Sequence, residues 1–445
     1  MKLVTDTQLA VNQSYDVTAT TATPLKLTLP ATATANDTIS IKGTGTTQWS
    51  VAQAAGQSIL TSNLAGNKAP GAVWTAPATA DLAAHTWHWI SSDVSGQTLL
   101  AGAAINGLLY TSTDGGVTFT TGNSTPGTWI SSDMSANAER MVAVKYQGDG
   151  MFTSVDKGAT WTAVTSPLFA GANLSFESVT ISADGQHIVA VSQGGNLTYS
   201  NDAGANFSVG TLPGATQTFN WRSVDNSADG SVIVAVTEDS HVFLSTDSGA
   251  HFSEISVAVG TPAAPVFENW YRVKMSADGQ TIAVVANQFG GGSGTGIYVS
   301  HDRGATWTKG FSLTADYSAL AMSADGTRIA ATVSNANNST SGAAATGEVV
   351  MSTDGGATFT PVTMPGTDTD WRAVAMSADG NKMAAATGRF TGPTAGLLYT
   401  SQGNRTSIGT AGSITGGQGA NVSLKYLSNN VWSVTSSSGG PFSIK

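Results

Sequence analysis

Three arginines and a tyrosine–glutamate pair are the residues of this chain whose types could do chemistry. Arg222, Arg272 and Arg372, with Tyr271 and Glu177, stand where sister segments carry Ile, Ser or Ala. A guanidinium presents a planar fork of donors that matches a carboxylate. A tyrosine activated by a neighbouring glutamate can act as a nucleophile, with a second carboxyl group as the acid, in glycoside hydrolysis. Asp93, Asp133, Asp225 and Lys274 add a second tier of charge a few residues further on. The alternative for both tiers is mutual neutralisation through ion pairs and water. His85, His88, His187, His241, His251 and His301 show no metal-ligand spacing, and cysteine is absent. No metal, cofactor or thiol chemistry is therefore expected.

A repeat must position these residues. Six copies of S-x-D-x-G-x-x-[FW] run along the chain, at Asp114, Asp156, Asp202, Asp247, Asp302 and Asp354. They are spaced by roughly 40 to 55 residues, a period at which each unit must stack on its neighbours to bury its apolar faces. In each copy the aspartate can accept backbone N–H groups across a tight turn while the glycine takes positive φ. Turn closure is the expected role of the six aspartates. Upstream of each box lies an MSADG-like turn, around Ser95, Ser135, Asp184, Asp229, Asp278, Asp325 and Asp379, followed by an apolar run such as VIVAV. These seven turns predict seven blades of four short strands each, lettered A to D outward, over residues 81–405. The seventh blade has Gln402 where the box aspartate is expected. Counting back from each turn serine places an aromatic at the start of every strand A: Trp89, Trp129, Phe176, Trp221, Trp270, Tyr317 and Trp371. Two readings are open for this ring. It packs between blades, or its members are platforms on which the C–H face of a sugar stacks.

The S-x-D-x-G-x-x-[FW] copies resemble the Asp-box, or BNR, repeat of sialidases and related propellers, including photosystem assembly factors that bind proteins. The resemblance implies an all-β, seven-bladed β-propeller and marks a fold rather than an activity. For a sialidase, Arg222, Arg272 and Arg372 would clamp a carboxylate and Tyr271 with Glu177 would attack. Sialidases of the resembled kind have six blades and an Arg-Ile-Pro element missing here, and Arg272 falls one position out of register with Arg222 and Arg372. Glycosidases of the xyloglucanase type pair two propellers, whereas this chain has length for one. The flanks, 1–80 and 406–445, carry alternating strand patterns such as LKLTLP, DTISIKG, NVSLKYL and VWSVTSS. They are expected to form one small β-sandwich from both chain ends, and they resemble modules of phage tail fibres and bacterial or viral surface proteins.

The resulting expectation is a non-catalytic, carbohydrate-binding propeller, a lectin, adhesin or tail-fibre-like receptor binder. A sialidase-like hydrolase or a protein-interaction propeller is the alternative. The ligand would sit among Trp129, Phe176, Glu177, Trp221, Arg222, Trp270, Arg272, Tyr317, Trp371 and Arg372. Around them lie the variable connections SPLFAGANLS, AVGTPAAPVFEN, NQFGGGSGTG, SNANNSTSGAAATG and GRFTGPTAG. A formal charge of −10 over 445 residues argues against nucleic acid or an anionic membrane as partner. MKLVTDTQLA is not a signal peptide and no apolar run is long enough to span a bilayer. An extracellular, cell-surface or virion setting, and a trimer through the terminal module, complete the expectation.

Overall fold

The computed structural model describes residues 1–61, 71, 74–79, 82, 85–104, 106–146, 150–169, 174–214, 218–287, 296–312, 316–334, 347–365, 370–388, 396–402, 406, 410, 413–428, 430–440 and 442–444. The chain divides into two compact units, Met1–Val73 with Gln402–Lys445, and Trp74–Ser401.

The second unit is a seven-bladed β-propeller. Its innermost strands are Trp87–Ser92, Trp129–Met134, Phe176–Ile181, Phe219–Asn226, Trp270–Met275, Asp316–Met322 and Trp371–Met376, each opening an antiparallel meander. The seven turns that end these strands are linked into a closed ring by backbone hydrogen bonds. Val94 donates to Ala136, Ala136 to Ala183, Ala183 to Ala228, Ala228 to Ala277, Ala277 to Ala324, Ala324 to Ala378, and Ala378 back to Val94, at 2.7–3.3 Å. The alanine of S-A-D-G thus passes one bond to each neighbouring blade. The serine Oγ beside it bonds the aspartate two residues on and accepts the N–H five residues on, as Ser323 does with Asp325 (2.6 Å) and Arg328 (2.9 Å).

The first blade departs from this chemistry in a way that hid its register. In D-V-S-G the aspartate and serine have exchanged places: Ser95 Oγ bonds the Asp93 carboxylate (3.0 Å), which also accepts from the Gln97 N–H. Asp93 is therefore a turn residue rather than one facing the channel. Trp87, not Trp89, is the residue equivalent to Trp129.

The Asp-boxes are uniform. In each, the serine Oγ is held by the aspartate and accepts the glycine N–H, and the aspartate accepts both the N–H and the side chain of the residue four positions on. At Asp302 these partners are Thr306 N (2.7 Å) and Thr306 Oγ1 (2.6 Å). The residue before the box glycine also has positive φ, 57° at Lys157 and 58° at Ala203, a requirement the pattern of glycines did not reveal.

The seventh blade supplies three strands, Trp371–Met376, Lys382–Thr387 and Leu398–Gln402. Its outer edge is completed from the N-terminal side, where Thr75 exchanges backbone hydrogen bonds with Thr400 at 2.8 and 2.9 Å. Ala78 and Thr79 then bond Val117 and Phe119 in the first blade's box, as Asn123 bonds Trp161 in the next. Residues 74–79 thus belong to the propeller, correcting the expected boundary at 80, because the last blade needs an outer strand to close.

The terminal unit is a sandwich of two sheets with both chain ends in each. One sheet orders Lys2–Leu3, Gln13–Val17, Thr38–Gly43, Asn421–Ser428, Val431–Ser438 and Ser58–Leu60. The other orders Thr7–Gln8, Leu25–Thr28, Trp49–Ala52, Ser413–Gly416 and Ser443–Ile444. Successive N-terminal strands alternate between the sheets and so pair in parallel within each, while the C-terminal hairpin fills the gap between Thr38–Gly43 and Ser58–Leu60. Trp49 and Trp432 are buried between the sheets.

Replacing Ser300 with alanine leaves the buried Gly304 N–H without its acceptor. We expect Ser300→Ala to lower unfolding stability by about 1–2 kcal/mol, read from the urea midpoint with unchanged slope.

Candidate functional site

In all seven blades the pairing of strands A and B slips by one residue just after the leading aromatic: at Trp87, Trp129, Phe176, Trp221, Trp270, Tyr317 and Trp371. Such a bulge turns the aromatic and the extra residue in different directions. The extra residues are His88, Ile130, Glu177, Arg222, Tyr271, Ser318 and Arg372. Four of the five residues singled out from the sequence are therefore one structural class, the bulge residues. Arg272 lies one place further along.

The bulge seals the aromatics. Trp129, Phe176, Trp221, Trp270, Tyr317 and Trp371 are at most 2% exposed and pack between blades, with the Trp129 and Trp221 indole N–H groups donating to Gly107 and Gly195 carbonyls (both 3.1 Å). None can stack a sugar, which corrects their expected place in a binding site. Their size fills the wedge where adjacent sheets diverge.

The charged bulge residues are neutralised by one another or by nearby carboxylates. Arg222 donates to Glu177 (3.3 Å) and Glu238 (2.7 Å), and Arg372 to Asp370 (3.0 Å) and the Gly388 carbonyl (3.1 Å). Burial pushes the Glu177 carboxyl up, opposed by Arg222 and Arg272. Arg272 is only 4% exposed and forms no ion pair among the described residues. It lies against Tyr271 (4.1 Å) and Trp89 (5.6 Å) and donates to the Arg222 and Tyr271 carbonyls. The guanidinium groups that would clamp a substrate carboxylate are thus already engaged, and Tyr271 makes no hydrogen bond to Glu177 among the described residues. The arrangement lacks the geometry of the sialidase reading. Sequence reasoning missed Glu238, Asp370 and His88, which come from the strand B ends, the loop before strand A and the misregistered first blade. Burial, then the Arg272 and Arg372 charges, push the His88 imidazole down to about 3.

Three strand-A positions past the bulge, Asp133, Asp225 and Lys274 face the channel. Asp133 accepts Ile181 N–H (3.0 Å) and Asp225 accepts Met275 N–H (2.7 Å), each from the following blade, and Lys274 bonds Asp225 (3.0 Å). Ser131, Ser178 and Ser223 do the same one layer up, for Val179, Val224 and Val273. These side chains satisfy the inner edge of strand A, which no other strand covers.

Of the variable connections, 258–269 is described throughout, with a short ladder between Ala258–Val259 and Ala264–Pro265 and with Phe267 78% exposed. The middles of 166–175, 287–296, 334–347 and 388–396 lie outside the described residues. Among the described residues no group of three or more His, Asp or Glu is placed to hold a metal, and no helix is long and apolar enough to cross a membrane.

Against known proteins, residues 298–309 match the BNR/Asp-box repeat. No curated protein sequence matches the chain. Among solved structures it is similar to YCF48 bound to D1 peptide (15% identity, 74% of this chain and 95% of that one, TM-score 0.49). It is similar also to YCF48 from Cyanidioschyzon merolae (12%, 74% and 98%, 0.49). The β-propeller domain of Myceliophteria thermophila Cps50 (Swd1) is a third (11%, 71% and 96%, 0.51). At these identities the likeness to the Cps50 domain is one of fold, a β-propeller.

Two outcomes follow for the mouth. Arg222→Ala strands the buried Glu177 and is expected to cost about 3 kcal/mol in urea unfolding, with Glu177→Gln in the same chain recovering most of it. Because the folded state holds His88 neutral far below its ordinary value of 6.5, its contribution is complete above pH 6.5 and is lost as pH falls toward 3. NMR of the His88 ring should show no titration between pH 8 and 4, and His88→Gln should lessen the loss of stability on acidification.

Proposed function

We propose that this chain is a non-catalytic recognition propeller that docks a protein segment on the face carrying the D–A and B–C connections. The observation that carries the reading is Phe267, a large apolar side chain 78% exposed four residues ahead of Tyr271. It stands in the connection that leads into the strand bearing Tyr271 and Arg272. An exposed aromatic in the connection that leads into a strand of polar and charged residues suits a partner with an apolar anchor and a polar rim, the usual anatomy of a protein interface. The opposite face is built of recurring turns, and its exposed apolar side chains, Val94, Val117 and Val155, are aliphatic and smaller than Phe267. The glycan reading rests on a different residue: Trp89, released from the inter-blade wedge by the first blade's register, lines the channel. Display at a cell or virion surface, with the terminal sandwich as the mount and a trimer as its assembly, belongs to the same reading.

Selection of a displayed random-peptide library against the immobilised full chain tests it. Enriched peptides whose binding falls about tenfold or more in Phe267→Ser support the proposal. Enrichment unaffected by Phe267→Ser, or glycan-array binding without peptide enrichment, overturns it.

A further inference from the structure

We infer that the propeller channel holds a binding site for a neutral, polyhydroxylated six-membered ring, a monosaccharide or cyclitol, against Trp89. The inference is independent of the protein partner proposed above, because it concerns the channel interior and not the connections around Phe267.

The site follows from which strand edges lack a cap. In blades three to five, serines and aspartates of the preceding blade accept the inner-edge N–H groups of Val179, Ile181, Val224, Val273 and Met275, while Thr180 stands in the sixth place, beside Asn226. Facing the edges of blades six, seven and one, the residues of the preceding blade at those places are Arg272, Lys274, Ala319, Ala321, Ala373 and Ala375. Lysine and arginine have no acceptor and alanine has no polar atom. The inner-edge N–H groups of Leu320, Met322, Val374, Met376, Ile90 and Ser92 therefore lack the side-chain cap that Val179, Ile181, Val224, Val273 and Met275 receive from the preceding blade. All six residues line one cavity of about 170 Å³, together with Trp89, Ser91, Asn226 and Lys274. Buried N–H groups of this kind require a partner, supplied by water or by a ligand. The Asn226 Nδ2 group is likewise buried without an acceptor, and Lys274, with one bond to Asp225, has donors to spare.

The chemistry of the occupant follows from the lining. Uncapped strand edges offer N–H and C=O groups in alternation, which suits hydroxyls that both donate and accept. Trp89 supplies the apolar plate for a ring's C–H face, its indole fixed by a hydrogen bond to the Ser132 carbonyl (2.7 Å). Asp133, Asp225 and Lys274 bring both signs of charge to the lining, with Lys274 bonded to Asp225 at 3.0 Å, and a neutral occupant is repelled by neither sign. A cavity of about 150 Å³ accepts benzene, and a pyranose or inositol, with its ring hydroxyls, also needs the room of the adjoining pocket on the turn side. The way in is from the turn side: Ser92, Asn226, Met275, Met322 and Met376 line both this cavity and an open pocket bounded by the alanine ring. Methionine side chains can move aside for a ring to pass.

Saturation-transfer NMR on the full chain, with myo-inositol, methyl glucoside and maltotriose as probes, tests the site. Transfer to myo-inositol or methyl glucoside, about tenfold weaker in Ala321→Leu, which fills the cavity, is the expected result, and it should be unchanged in Phe267→Ser. Thermal melts establish that Ala321→Leu folds; should it not, Trp89→Leu takes its place with the same expectation. Transfer to the small probes alone identifies a free ring as occupant, and transfer to maltotriose as well identifies the end of a glycan; either supports the site. No transfer to any probe, or transfer that persists undiminished in a folded variant, overturns it.

Discussion

A ring of seven backbone hydrogen bonds, passed from turn to turn around the channel, is the constraint on which the propeller depends. A sheet edge left bare at the axis would expose N–H and C=O groups that must find partners. Linking each S-A-D-G alanine to the next meets part of that need and fixes the number of blades, since the bond from Ala378 returns to Val94. Bulk at this point is disfavoured because seven turns converge there, and six of the seven positions are alanine. The Asp-boxes hold the outer half of each blade in the same manner, with a serine and an aspartate closing each C–D turn.

Departures from equivalence are where the molecule acquires character. The bulge after each leading aromatic divides structure from display: the aromatic goes into the wedge between blades, and the extra residue goes to the mouth. That residue differs from blade to blade, from Ile130, which packs in the core, to the places where the chain has put Glu177, Arg222, Tyr271 and Arg372. A ring of buried charge in this position would be costly unless paired, and the pairs Arg222 with Glu177 and Glu238, and Arg372 with Asp370, meet that condition.

The fold was legible because turn chemistry is local. An aspartate with glycine two residues on, and a serine with aspartate two residues on, can be read from a few positions, and both recur with the blade. Registration failed where chemistry was preserved by exchange: Asp93 and Ser95 form the same turn as Ser182 and Asp184 with roles reversed, so aligning on serine moved the first blade by two residues. The outer strand of the last blade was hidden for another reason, as a single bridge at Thr75 has too little pattern to announce itself. The fate of the aromatic ring could not be read at all. An alternating strand would have turned the aromatic and the charged residue to opposite faces, and only the bulge, which depends on pairing with strand B, decides which of them meets the channel.

The first-blade exchange and the loss of caps in blades five to seven converge on one place. Shifting the register put Trp87 into the inter-blade wedge and left Trp89 two residues later, on the channel side, where sister blades carry serine, alanine or Arg272. Serines and aspartates in blades two to four fill their half of the channel by bonding the next strand, whereas alanines in six and seven leave theirs open. A sevenfold scaffold thus becomes one-sided inside as well as at its mouth. The inner asymmetry is made by removing acceptors, through alanines in blades six and seven and through Arg272 and Lys274 in blade five, which leaves uncapped strand edges facing a single aromatic plate.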